Sequence, residues 1–299
     1  MHPDVIVVGG GLMGCNVAYR LAKDGARVVV LERSVPGAEA SSAAAGILGP
    51  TVESYDDASA LQLGRRSREL HAELAGELDG LLGVDVGFRR CGVLKVAFTA
   101  QGLAELDGQV SSLEAHGVRC DRWTPDDLRR EEPAVNPEAI GALSISEDAQ
   151  VEPKKLLSAV ALGAERKGAT FRSGSTVRAV HIEGGRVRGV RLGDALIQAG
   201  RVVVAAGAWT TLIPGLPFDS ETIYPVRGQM SHVRRDGRRH RQGNPDRPVA
   251  SVRRGRRALV ELSPRYARRI AAGRRNSDRR LVCREWSLSQ RDPAGPADG

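Results

Sequence analysis

Several things are scarce or missing in this 299-residue chain, and each absence narrows the field. No run of about 18 apolar residues occurs, so no membrane span is expected. The chain enters a strand-like run within its first residues, so no leader segment is expected. Only four cysteines are present (Cys15, Cys91, Cys120, Cys283), far apart and without a C-x-x-C pair. That argues against a disulfide framework or a redox dithiol and for reduced thiols in a cytoplasm. Cys15, just inside the first helix, reads as structural. Lysine is absent from residues 231–299, which hold 19 Arg and seven acids, a net of +12. Residues 1–230 carry 25 basic and 29 acidic side chains, a net of −4. The formal +8 is therefore a mildly acidic body joined to a strongly basic segment.

What is present is concentrated near the start. Val5, Ile6, Val7 and Val8 form a continuous apolar run, the pattern of a parallel strand buried on both faces. Gly9, Gly11 and Gly14 follow with G-x-G-x-x-G spacing. The first permits the turn, the second lets a pyrophosphate approach, and the third lets the helix pack on the strand. A helix from Leu12 would aim its free N–H groups and its dipole at that phosphate. Gly25 stops it, and residues 26–31 form the next strand. Glu32 ends that strand, where its carboxylate can accept from both ribose hydroxyls of an adenosine and would repel a 2′-phosphate. Strand, turn, helix, strand and terminal acid agree, so the nucleotide-binding reading outweighs that of an ordinary glycine turn.

Residues 41–48 (SSAAAGIL) are small. Either their backbone lies against a bulky ligand, with Ser41 and Ser42 donating to phosphate oxygens, or they form a small-residue helix packed on the sheet. Helical periodicity spans 61–82, with Leu61, Leu70, Leu74, Leu78 and Leu81 apolar. Residues 84–99 read as two strands joined near 90–92. A helix covers 101–116, with a strand near Val118. Thr124, Pro125 and Asp127 mark a capped helix start. A helix from Glu152 ends at Gly168. Strands follow at 169–171, 175–183 and 186–192, the last two joined by Gly184-Gly185. Residues 201–206 (RVVVAA) are a further buried strand leading to Gly207 and Trp209. A nucleotide unit, a long insertion and a returning valine-rich strand suit a flavin bound in extended form better than a nicotinamide coenzyme.

With those pieces in place, the chain resembles the D-amino-acid oxidase family of FAD-dependent oxidoreductases, and within it the glycine oxidases of thiamine biosynthesis. The matching stretches are 5–14, Glu32, 42–48, 92–98 (GVLKVAF), 148–153 (DAQVEP), 202–209 and 224–229 (YPVRGQ). The resemblance implies an α/β fold (α+β overall). A Rossmann-like FAD-binding domain of glutathione-reductase type, residues 1–84 and 145–218, would carry an inserted antiparallel-sheet substrate domain, 85–144 with 219–230. It implies that Leu12 and Met13 line the pyrophosphate turn and that Glu32 and Arg33 sit at the adenosine. Ala40, Ser41, Ser42, Ala45, Gly46 and Ile47 would meet the phosphates and the flavin side. Val177, in a strand, would hold the adenine, and Gly207 would lie close to the cofactor. The implied reaction is oxidation of glycine or a related small amino acid, with O₂ as electron acceptor. No metal, membrane or nucleic-acid partner is implied, and a homo-oligomer is compatible. No catalytic residue is assigned; an arginine should clamp the substrate carboxylate.

By this reading the resemblance ends at Met230. Residues 231–299 lack sustained periodicity and lack the expected strand pair, the Gly-Leu-Arg-Pro-type clamp and the glycine-rich stretch before a last helix. A basic arm, a variant domain and a shifted reading frame compete for this aberrant segment. An Arg-, Gly- and Pro-rich, Lys-free composition favours the frameshift. Weak FAD binding and poor turnover are expected to follow.

Overall fold

Residues 2–53, 57–218, 222–223, 230–233 and 258–261 are described by the computed structural model of the chain. Four apolar residues in a row leave no face for water, and β1 (Val5–Val8) is buried along its whole length. The elements that follow are α1 (Leu12–Lys23), β2 (Val28–Leu31), α2 (Ala40–Ala43), β3 (Ile47–Leu48), α3 (Pro50–Glu53) and α4 (Ala58–Leu82). Next come β4 (Arg89–Arg90), β5 (Val93–Ala97), α5 (Ala100–Ala115), β6 (Cys120–Trp123), α6 (Pro125–Glu131), β7 (Gly141–Ile145) and β8 (Ala149–Gln150). The chain continues with α7 (Pro153–Arg166), β9 (Thr170–Arg172), β10 (Ala179–Glu183), β11 (Arg186–Leu192), β12 (Ala195–Gln198) and β13 (Arg201–Val204). A 3₁₀ turn occupies Gly207–Leu212, and β14 (Met230–Val233) and β15 (Ala258–Glu261) close the series.

The central sheet is parallel, in the order β13-β1-β2-β9. Successive side chains of a strand point to opposite faces. Val5, Val7, Val28 and Val30 accordingly pack on helices α1, α4 and α7. Ile6, Val8 and Leu31 pack on the meander β10-β11-β12. Each such fully buried side chain contributes about 1.5–3 kcal/mol. This is the expected Rossmann-like layering, with β1 between the strand that follows it and the strand that returns at Arg201. The smaller antiparallel sheet β5-β7-β6 carries α5 and α6.

Several expectations shift. β5 does not pair with β4. It pairs with β7, while β4 pairs with β8 in a separate sheet with β3. Gly92, at φ +69°, turns the chain between them, and its N–H donates to the Asp148 carbonyl at 2.8 Å. The strand expected near Val118 begins at Cys120. Leu70 is exposed rather than part of the α4 stripe. Residues 40–43 form a short helix with no buried residue, and 47–48 form a short strand paired with β8, so the helix alternative covers only the first part of the small-residue run. In the basic segment, β14 and β15 pair antiparallel although no strand pair is expected there. A four-residue strand is too short to show its alternation among so many arginines. Among the described residues no helix is long and apolar enough to cross a membrane.

Candidate cofactor site

The C-terminal ends of β1, β2 and β13 meet where the strand order switches direction about β1, the place where open α/β sheets bind ligands. Gly9 leaves β1 at φ +105°, and a Cβ there would stand 2.5 Å from the Ala205 carbonyl oxygen. A Cβ on Gly14 would overlap the Gly9 carbonyl oxygen. Both positions therefore need glycine to let α1 start against the sheet. Gly11 caps α1 and brings no capping side chain. Apart from Leu12 N–H, which Ser41 accepts, the positive end of the helix is thus open to an external anion.

Glu32 lies directly beneath the turn. Gly10 N–H donates to its Oε2 at 2.7 Å, and Ser34 N–H donates to its Oε1 at 2.8 Å. Both oxygens are oriented by backbone, with lone pairs to spare for hydroxyl donors. Ser41, on α2, accepts from Leu12 N–H at 3.0 Å, which keeps its own hydroxyl hydrogen available for a phosphate oxygen. Gly37, which the sequence reading passes over, closes the loop: its N–H donates to the Gly10 carbonyl at 2.9 Å. Arg33 stacks its guanidinium 4.2 Å from the centre of the Trp209 ring and pairs with Glu39. Met13, 64% exposed, sits on the first turn of α1.

From Ser41 the chain runs through Ser42 and Ala45 to Gly46, at φ +88°, whose carbonyl accepts from Val151 N–H at 2.8 Å. Ile47 then begins β3, pairs with Gln150 and is 57% exposed. Gly207 opens the turn after β13 at φ +54°, with nothing within 4 Å of where a Cβ would stand. Val177 does not lie in the strand expected over 175–183. It precedes β10 rather than lying in it, half-buried among the apolar contacts of the meander. The turn at 173–174 delays the strand to Ala179. Cys15 is structural, as expected: it is buried, its thiol donates to the Gly10 carbonyl at 3.4 Å, and burial pushes it up to about 12.

The cradle thus brings together backbone N–H groups, a hydroxyl and a carboxylate, the chemistry that can meet phosphates and a ribose. A family model described as FAD dependent oxidoreductase matches residues 4–296.

The chain belongs to that family of FAD-dependent oxidoreductases.

Its cofactor is FAD, and the donor set of the cradle fits that group. The match passes Met230 and so corrects the point at which the sequence reading ends the resemblance. A glycine oxidase of Bacillus licheniformis is 33% identical over 238 residues, which is 78% of this chain and 62% of that protein. A bifunctional ThiO/ThiG protein of Trichormus variabilis is 30% identical over 278 residues, 93% of this chain and 40% of that protein. A solved glycine oxidase from Bacillus cereus superposes with a TM-score of 0.66 at 31% identity, covering 71% of this chain and 57% of that one. The chain therefore spans less than two thirds of the length of these relatives.

Proposed function

We propose that this flavoprotein oxidises a small amino acid, glycine or a close relative, with O₂ reduced to H₂O₂ and the imine hydrolysed by water to an oxo acid, releasing ammonia from a primary amine or a primary amine from a secondary one. The observation that carries the reading is the cradle of Gly9, Gly11, Gly14, Glu32 and Ser41 at the sheet's switch point. The similarity to glycine oxidases supports the substrate class.

When bound, FAD supplies the two-electron acceptor for the α-carbon hydride of a neutral amine. The chain's own residues bind and orient. Gly9, Gly11, Gly14 and the backbone of Leu12 and Met13 take the pyrophosphate. Glu32 and Arg33 hold the adenosine, with the backbone of Val177 beside the adenine. Ala40, Ser41 and Ser42 follow the phosphates, Ala45, Gly46 and Ile47 form the flavin-side wall, and Gly207 faces the cofactor. Residues 1–84 with 145–218 serve as the cofactor domain, and 85–144 with 219–230 as the substrate domain. Among the described residues Cys15, Cys91 and Cys120 are unpaired, which suits a cytoplasmic setting.

Taken by themselves, residues 1–299 should turn over slowly, because 231–299 contain no Gly-Leu-Arg-Pro-type clamp for the substrate carboxylate. Arg227, an alternative clamp, lies outside the described residues. The test is a visible spectrum of the purified protein followed by a peroxide assay with glycine, sarcosine and D-alanine. Flavin bands near 380 and 450 nm (about, since the flavin sets its own electronics) with slow peroxide release are expected. No bound flavin after reconstitution would sink the reading, and fast peroxide release would sink the impairment alone.

A further inference from the structure

A buried ionic cluster lies apart from the glycine cradle. Arg68 of α4 is 5% exposed, Thr51 of α3 is 1% exposed, and Asp148, just before β8, is fully buried. Arg68 Nη1 donates to Asp148 Oδ1 at 3.1 Å, and Nη2 donates to Glu147 Oε2 at 3.3 Å. The Thr51 hydroxyl donates to the other oxygen of Asp148. One turn earlier on α4, Arg65 reaches Glu147 at 3.1 Å and the carbonyl of His116, at the end of α5, at 3.1 Å.

Burying such charges costs desolvation that their attraction barely returns, and apolar replacements are often as stable. What an ion pair adds is a single geometry. Here that geometry is imposed on both strands of one short ladder. Asp148 directly precedes β8, Thr51 follows three residues after β3, and the ladder joins only Ile47 to Gln150 and Leu48 to Ala149. One more bond, from Val151 N–H to the Gly46 carbonyl, extends that ladder, and β4 pairs the far side of β8, yet β3 remains a two-residue edge strand that gains from a fixed support. Strand β3 continues the segment that touches the cradle through Ser41.

We propose that Arg68 is a positioning residue, which acts through Asp148 and Thr51 to hold β3 as a rigid wall along the flavin end of the cofactor groove. The inference rests on the FAD reading of the groove given above. Arg68 is 5% exposed and turned to Asp148 and Glu147, so its effect is on the shape of the wall.

The experiment compares the full chain with R68M/D148N, Thr51→Val and Thr51→Ser. FAD affinity is measured by fluorescence titration, and the bound flavin's setting by visible circular dichroism. R68M/D148N removes both charges together and leaves no lone buried ion, so a cooperative thermal melt is expected to persist. Its FAD Kd is expected to rise about tenfold, with an altered flavin dichroism. If it does not fold, the Thr51 pair decides: Val should change the dichroism, and Ser, which keeps the hydroxyl, should restore it. Wild-type dichroism and affinity in a folded R68M/D148N, or identical behaviour of the two Thr51 variants, overturn the inference alone. A wild-type chain that takes up no FAD overturns it together with the cofactor reading.

Discussion

At Gly14 a single methyl group is too much, since it would overlap the Gly9 carbonyl oxygen on which the turn closes. Gly14→Ala is expected to push α1 off the sheet and lower stability by about 1–3 kcal/mol. Thermal melts of the apo chain check this without reference to FAD. Glu32 acts differently: Glu32→Gln keeps the size but loses the charge proposed to meet the ribose hydroxyls, and its amide nitrogen can no longer accept one of the N–H bonds from Gly10 and Ser34. A charge-assisted hydrogen bond contributes about 1.5–3 kcal/mol, so FAD affinity should fall about tenfold to a hundredfold with the fold intact. Equal affinity in the two proteins would show that the carboxylate does not meet the ribose. Both residues are legible in sequence because strand, turn and helix constrain each other over a few residues. Arg68 is not, because its partners Asp148 and Thr51 belong to different stretches of the chain and meet only on folding. Trp209 is half legible: it follows a strand's C-terminal end, but its stack with Arg33 joins the ends of two strands.

The helices owe their clarity to length and to their ends. Asp57 caps α4 by accepting from Ser59 and Ala60 N–H, and Gly83 ends it at φ +66°. Thr99 caps α5 by accepting from Gly102 N–H, and Thr99→Ala should cost about 1 kcal/mol, read in a denaturant midpoint. The box at α6 is reciprocal: Asp127 N–H donates to Thr124, and Thr124 N–H donates back to the Asp127 carboxylate. The Thr124 hydroxyl and amide and the Arg130 guanidinium hold that carboxyl down to about 2, from an ordinary 3.8. A depressed acid stabilises the fold above its unfolded value and loses that contribution as pH falls through the folded one. The cap of α6 should therefore persist at pH 4 and open as pH falls toward 2, followed by the Thr124 amide shift in NMR. A midpoint near 4 would contradict the reciprocal bond. Strands β3 and β8, at two residues each, escape sequence reading because a period of two cannot be seen in two residues.

Across the whole molecule the layers depend on a few side chains that touch several elements. Leu78, fully buried on α4, packs with Tyr19 of α1 close to Gly163 of α7. Leu78→Ala should leave a cavity under three helices and cost about 2–5 kcal/mol in chemical denaturation. A loss under 1 kcal/mol would mean that the helices close over the gap (about the transfer value of one methylene). What the amino-acid order determined unaided is local: the nucleotide turn, the acid that ends β2, the caps, the long helices, and the uneven spread of charge about Met230. Each follows from chemistry acting within a few turns of chain. Beyond the hairpin at Gly184-Gly185 and the strand returning at Arg201, tertiary structure alone decided which strands pair, that β4 and β5 part into different sheets, that Ser41 meets α1, and that Arg68 finds Asp148. Such contacts join segments whose patterns are compatible with many partners, and only burying all the apolar faces at once selects among them.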